Sequence, residues 1–165
     1  MSDKTITERL QPSLLDRLTD DAPGDLKETR ESRVIDIRRL RDIIQRDLAW
    51  LLNTSENSEG IDTARYPYAA RSVLNYGIRE VAGDYSTVER AQKIRVSIMR
   101  AIDAFEPRIR AGSVEVLLRD DAKIAESIIA FDIRADMWAQ PMPMELYLRS
   151  QVDLTTGELK LERKA

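Results

Sequence analysis

The feature that most constrains the fold of this chain is a change of hydrophobic period at Gly112. Before it, apolar residues recur every three or four positions; after it, they alternate. Ile37, Leu40, Ile44, Leu48 and Leu51 share one face of a helix predicted from about Arg33 to Asn53. A second long helix is predicted from Ser86, where Ser86-Thr87-Val88-Glu89 has the spacing that satisfies free amides at a helix start. Val88, Ala91, Ile94, Ile98, Ala101, Ile102 and Phe105 form its apolar stripe. Pro107 ends it, because proline disfavours the helical region for the residue before it. Between the two lies a polar, Gly/Pro-punctuated loop over 54–68 and a short helix, Ala69 to Tyr76, with Gly77 as its left-handed cap.

Beyond Gly112 the chain reads as strands. Val114 to Leu118 is the first; in the second, Ile129, Phe131, Ile133, Ala135 and Met137 alternate with Ala130, Asp132, Arg134 and Asp136. Pro141 and Pro143 interrupt, and a third strand runs from Glu145 to Leu154 with Leu146, Leu148, Ser150 and Val152 on one side. A turn at Thr155-Thr156-Gly157 returns the chain into Glu158 to Glu162. Helices first and strands later predict an α+β domain, its N-terminal helices packed on one face of a C-terminal antiparallel β-meander. At 165 residues there is material for one sizeable core. The main domain is expected over 33–165. Residues 1–32 form an N-terminal amphipathic segment and linker, in which Leu14, Leu15 and Leu18 share a helical face ahead of the breaker cluster Asp20 to Asp25. The leucines suit either docking on the chain's own core or binding a partner.

Composition removes whole classes of chemistry. With no cysteine and no histidine, thiolate and imidazole catalysis and the usual zinc ligands are unavailable. No glycine-rich phosphate loop is present. A net charge of -3 gives no general attraction to nucleic acid or anionic lipid. The start of the chain lacks a basic stretch followed by an apolar run, and nothing approaches a membrane span, so a cytoplasmic location without membrane insertion is expected. Between Glu89 and Arg110, six basic residues face three acids, a surface that could attract RNA but is more simply a solvated helix face. Two of the 29 acidic residues could form a glycosidase pair, yet nothing selects two of them. Asp132 and Asp136 read as the solvated side of a strand.

Glu106-Pro107-Arg108 differs in that each residue has its own task at one junction. Proline fixes the exit from the helix, and the planar guanidinium can bind a carboxylate with two parallel bonds. On an extended backbone Glu106 and Arg108 would point the same way. On the residues alone, the simpler reading is a helix terminus with a local ion pair worth under about 1 kcal/mol.

Four ordered segments carry a resemblance: Ser13 to Leu18, Asp47 to Thr54, Ser72 to Ile78, and Phe105-Glu106-Pro107-Arg108-Ile109. Together they resemble the TssE family, baseplate subunits of the type VI secretion system that are similar to a contractile phage-tail wedge protein. Ile109 stands where the family usually has leucine. The resemblance implies a fold similar to the sheath's interlocking "handshake" domain and a structural role without cofactor, metal or catalytic residues. It implies TssF, TssG and TssK as baseplate neighbours, TssB/TssC sheath as the polymer whose assembly is templated, and indirect contact with the VgrG spike hub. The setting would be the cytoplasmic side of an apparatus anchored in the inner membrane of a Gram-negative bacterium. Glu106, Pro107 and Arg108, with Leu14, Leu15 and Leu18, become the expected protein-interaction residues. The family's lysozyme-like label leaves a muramidase as the competing expectation.

Overall fold

The alternation in the C-terminal third becomes a four-stranded antiparallel sheet in the computed structural model, which describes residues 13–19, 23–24, 37–62, 64–80, 88–119, 127–137 and 144–163. Strands β1 (Glu115–Leu118), β2 (Ile128–Met137), β3 (Met144–Asp153) and β4 (Leu159–Arg163) pair in sequence order, a simple meander. The register sets Val116 opposite Ile133, Ile133 opposite Leu148, Phe131 opposite Ser150 and Val152 opposite Leu159. Opposed residues share a face, so these pairs build one continuous buried row. The expected inward residues of β2, from Ile129 to Met137, are all buried, as are Leu146, Leu148, Ser150 and Val152 of β3. Ala130 is buried as well. Ser150 is the polar member of the row, and its hydroxyl donates to the Phe131 carbonyl at 3.3 Å, which keeps its burial inexpensive.

The β3–β4 turn is held by Asp153. Its carboxylate accepts from the amides of Thr155 (2.8 Å) and Thr156 (3.3 Å), and Gly157 takes a positive φ of 77°. The Thr155 amide is the main reason the Asp153 carboxyl lies below its ordinary range.

The helices are α1 (Leu14–Leu18), α2 (Ile37–Leu52), α3 (Pro67–Ala70) and α4 (Val88–Phe105). The chain divides into two compact units, Met1–Ile44 and Gln45–Ala165, with the boundary inside α2. In the first, Leu40, Ile43 and Ile44 are buried while α1 buries nothing. In the second, Leu48, Leu51 and Leu52 continue the α2 stripe, and Ala91, Ile94, Ile98, Ala101 and Ile102 form that of α4. Fully buried aliphatic side chains of this kind each contribute about 1.5–3 kcal/mol. Arg95 fastens α4 to the sheet, its Nε donating to the Val116 carbonyl at 2.6 Å.

Three local expectations require correction. Val88 is 76% exposed, because it opens α4 and the covered stripe starts one turn later, at Ala91. Glu89 is drawn forward to Lys93 Nζ at 2.8 Å, and Ser86, the other half of the expected capping box, lies outside the described residues, as do 33–36 of the first helix and Pro141 and Pro143. The helix expected over Ala69–Tyr76 is split into α3 and a 3₁₀ turn, Val73–Asn75. Ser72 makes the break: its hydroxyl donates to Ala69 O at 2.8 Å and accepts from Leu74 N, competing with the helical backbone.

Gly77 is therefore not a helix cap. At φ +126° it lets two backbones meet, with Ile78 N donating to Thr54 O and Glu56 N to Ile78 O, both at 2.8 Å. A Cβ at this position would stand 2.2 Å from Thr54 O. Only glycine fits both the dihedral and the approach.

Candidate functional site

Helix α4 ends at Phe105, but its last bond, Glu106 N to Ile102 O at 2.9 Å, places the next residue as well. The backbone then turns: Ile109 N donates back to Glu106 O at 3.1 Å, with Pro107 at the second position, where its fixed φ suits a turn. The segment is thus a tight turn and not the extended stretch considered from the sequence. The turn still brings Glu106 and Arg108 together. Past it, Ile109 bridges Met137, Arg110 N donates to Asp136 O at 2.8 Å, and Ser113 Oγ accepts from Asp136 N at 3.0 Å, so the turn is anchored on the end of β2.

Glu106 is 5% exposed, and a buried carboxylate needs partners. Arg108 supplies them. Its Nε donates to Glu106 Oε1 at 2.6 Å, its Nη2 to Oε2 at 2.5 Å, and its backbone amide to Oε1 at 3.1 Å. The same Nη2 donates to Asp47 Oδ2, on α2, at 2.6 Å. Asp47 Oδ1 in turn accepts from Arg46 Nε (2.9 Å) and Nη2 (2.7 Å). The Arg46 guanidinium lies 4.8 Å from the centre of the Trp50 ring. Four charges of alternating sign, Glu106, Arg108, Asp47 and Arg46, therefore tie the end of α4 to the middle of α2.

The electrostatics follow from this geometry. Burial alone lowers the pKa of Arg108, yet the hydrogen bonds and charges of Glu106 and Asp47 outweigh it and raise the pKa overall. Tyr76, whose ring meets Phe105 edge-on at 5.3 Å, has its phenol pushed up by burial and then by the Asp47 and Glu106 charges. Sequence reasoning located Glu106, Pro107 and Arg108 but gave no role to Asp47 or Arg46. Asp47 stands 61 positions from Arg108, and only the need of a part-buried guanidinium for a second carboxylate points to it.

Of the other expected interaction residues, Leu14, Leu15 and Leu18 are 71%, 49% and 76% exposed, and Pro107 is exposed beside its buried neighbour. The six basic residues between Glu89 and Arg110 do not act as one patch. Lys93 pairs with Glu89, Arg95 binds the β1 backbone and Arg108 binds the acids. Asp132 and Asp136 lie on the outer side of β2, where Asp132 accepts from the Tyr147 hydroxyl.

The profile of the baseplate wedge protein gp25 family matches residues 38–142, well over half of the chain. The chain belongs to that family. It is a structural family, and the one to which TssE belongs. The wedge-family match covers α2, the Glu106–Arg108 turn and the first two strands, so both ends of the four-charge network lie inside it. α1 precedes the match, and the β3–β4 hairpin follows it. No curated protein and no solved structure matched the chain.

Proposed function

We propose that this gp25-family chain is the TssE-type subunit of a type VI secretion baseplate, joining a wedge of TssF, TssG and TssK to the contractile sheath and templating TssB/TssC polymerisation. The VgrG hub is then an indirect neighbour. The observation that carries the proposal is the family match across the Glu106–Arg108 turn. There Arg108 is pre-set by two carboxylates, while Pro107 stays exposed for contact.

Templating would act by β-augmentation at β4, the last strand of the sheet. Its outward groups are partly occupied. Asn53 bonds both Leu159 N and Leu159 O at 2.8 Å, and Gln45 Nε2 donates to Leu161 O at 3.2 Å. Added pairing therefore starts beyond Leu161 or displaces Asn53 and Gln45. The exposed leucines of α1 supply a second contact, to the wedge.

The muramidase reading is disfavoured by one observation: the carboxylates brought together here, Asp47 and Glu106, both accept from Arg108, which leaves neither placed as an acid beside a substrate. Purified full-length chain should bind immobilised TssF–TssG and clear no peptidoglycan. Hydrolysis that is lost in Glu106→Gln, without wedge binding, would replace the structural function with the enzymatic one.

A further inference from the structure

Asn53 stands just past the end of α2 and meets the sheet as a paired strand would. Its Oδ1 accepts from Leu159 N and its Nδ2 donates to Leu159 O, both at 2.8 Å. A side-chain amide carries the same donor and acceptor as a peptide unit, and hydrogen-bonded residues of antiparallel strands exchange this same pair of bonds. Asn53 is therefore a one-residue substitute for a further strand beside β4. About two turns earlier on α2, Gln45 Nε2 takes Leu161 O at 3.2 Å. Along a strand the backbone groups facing one edge belong to alternate residues, so Leu159 and Leu161 share the outer edge of β4. Three of their four groups are thus occupied by side chains. Past them β4 has only Arg163 on that side before it ends, so a strand that adds here must take Leu159 and Leu161 from Asn53 and Gln45.

Asn53 is placed to yield. It is exposed, whereas Leu51 and Leu52 before it are buried, so its amide can leave the sheet without opening the core. Its Nδ2 also donates to Ala49 O at 2.8 Å, which leaves it a partner on its own helix when Leu159 is released. A cavity of about 290 Å³, lined in part by Asn53, Ser55, Arg79, Glu80, Thr156 and Glu158, adjoins the contact and offers the freed amide further polar partners. We propose that Asn53, assisted by Gln45, is a releasable latch that keeps the β4 edge closed in the free subunit and is exchanged for the extended sheath segment that pairs there. The latch rests on the β-augmentation proposed above and adds its regulation. A closed edge suppresses pairing between copies of the same subunit, the hazard that an open edge carries. It also lowers the apparent affinity for the arriving segment by the fraction of chains whose edge is open.

The test compares capture of purified TssB–TssC by full-length wild type, Asn53→Ala and Asn53→Asp, with a thermal melt of each and amide hydrogen exchange followed at Leu159. Loss of both bonds in Asn53→Ala should raise affinity about tenfold, chiefly through faster association. Asn53→Asp keeps an acceptor for Leu159 N but no donor for Leu159 O, so its gain should be smaller, and it carries the comparison if the alanine variant does not fold. The Leu159 amide should exchange faster in free Asn53→Ala than in free wild type, and should be protected again once TssB–TssC is bound. Equal or weaker capture by both variants makes Asn53 a tether between α2 and the sheet, overturning the latch and leaving templating standing. Capture with the Leu159 amide unprotected puts the sheath segment elsewhere and likewise overturns the latch. No capture by wild type or by either variant overturns both the latch and templating.

Discussion

At the scale of single residues, the burial of Glu106 decides what the turn at Pro107 is. From the sequence, Glu106 and Arg108 could be told apart from a solvated ion pair only by resemblance; burial now distinguishes them physically. Pairs in water contribute under about 1 kcal/mol, whereas a charge-assisted bond to a buried carboxylate contributes about 1.5–3 kcal/mol. Glu106→Gln keeps the size but loses half of the bidentate acceptor, so urea unfolding should show a loss of about 2 kcal/mol in a chain that still folds. Tyr76 reads the same network through pH. Its pKa is raised in the folded chain above the ordinary 10.0, so its contribution to stability is complete below that value and is lost as pH rises through the folded-state value. Melting midpoints measured from about pH 9 to about pH 11.5 should therefore fall more steeply for wild type than for Tyr76→Phe.

At the scale of elements, periodicity was a good guide wherever the core decides the conformation. The inward residues of β2 and β3 and the stripe of α4 from Ala91 to Ile102 are buried as their spacing requires. It failed where local hydrogen bonding or a chain end decides. Ser72 splits a helix that apolar spacing alone would continue, and Val88 is left outside the covered stripe at the start of α4. Gly77 has the positive φ expected of it but serves a backbone approach and not a helix cap, and an approach between positions distant in sequence leaves no local trace. Gly77→Ala should cost about 2–3 kcal/mol in unfolding free energy, from dihedral strain together with the clash on Thr54 O. An equally stable alanine variant would show that the close approach can relax.

At the scale of the whole molecule, fold class was legible because helix and strand periods occupy separate halves of the chain. The candidate site was legible only in part. The turn at Pro107 and its two charged neighbours could be read in sequence, whereas Asp47 and Arg46 depend on how α2 meets the end of α4, a tertiary fact with no local signature. In the proposed function, a turn built this firmly would present a fixed surface before its neighbours arrive. The most direct measurement is the number of assembled sheaths, seen with fluorescently tagged TssB, in cells whose own copy of this chain is replaced by Arg108→Ala at matched protein level. A templating role that depends on Arg108 predicts sheath assembly with the wild-type chain and almost none with the variant, the tagged TssB staying diffuse. Normal sheath numbers in the variant, or in cells lacking the chain altogether, would contradict it.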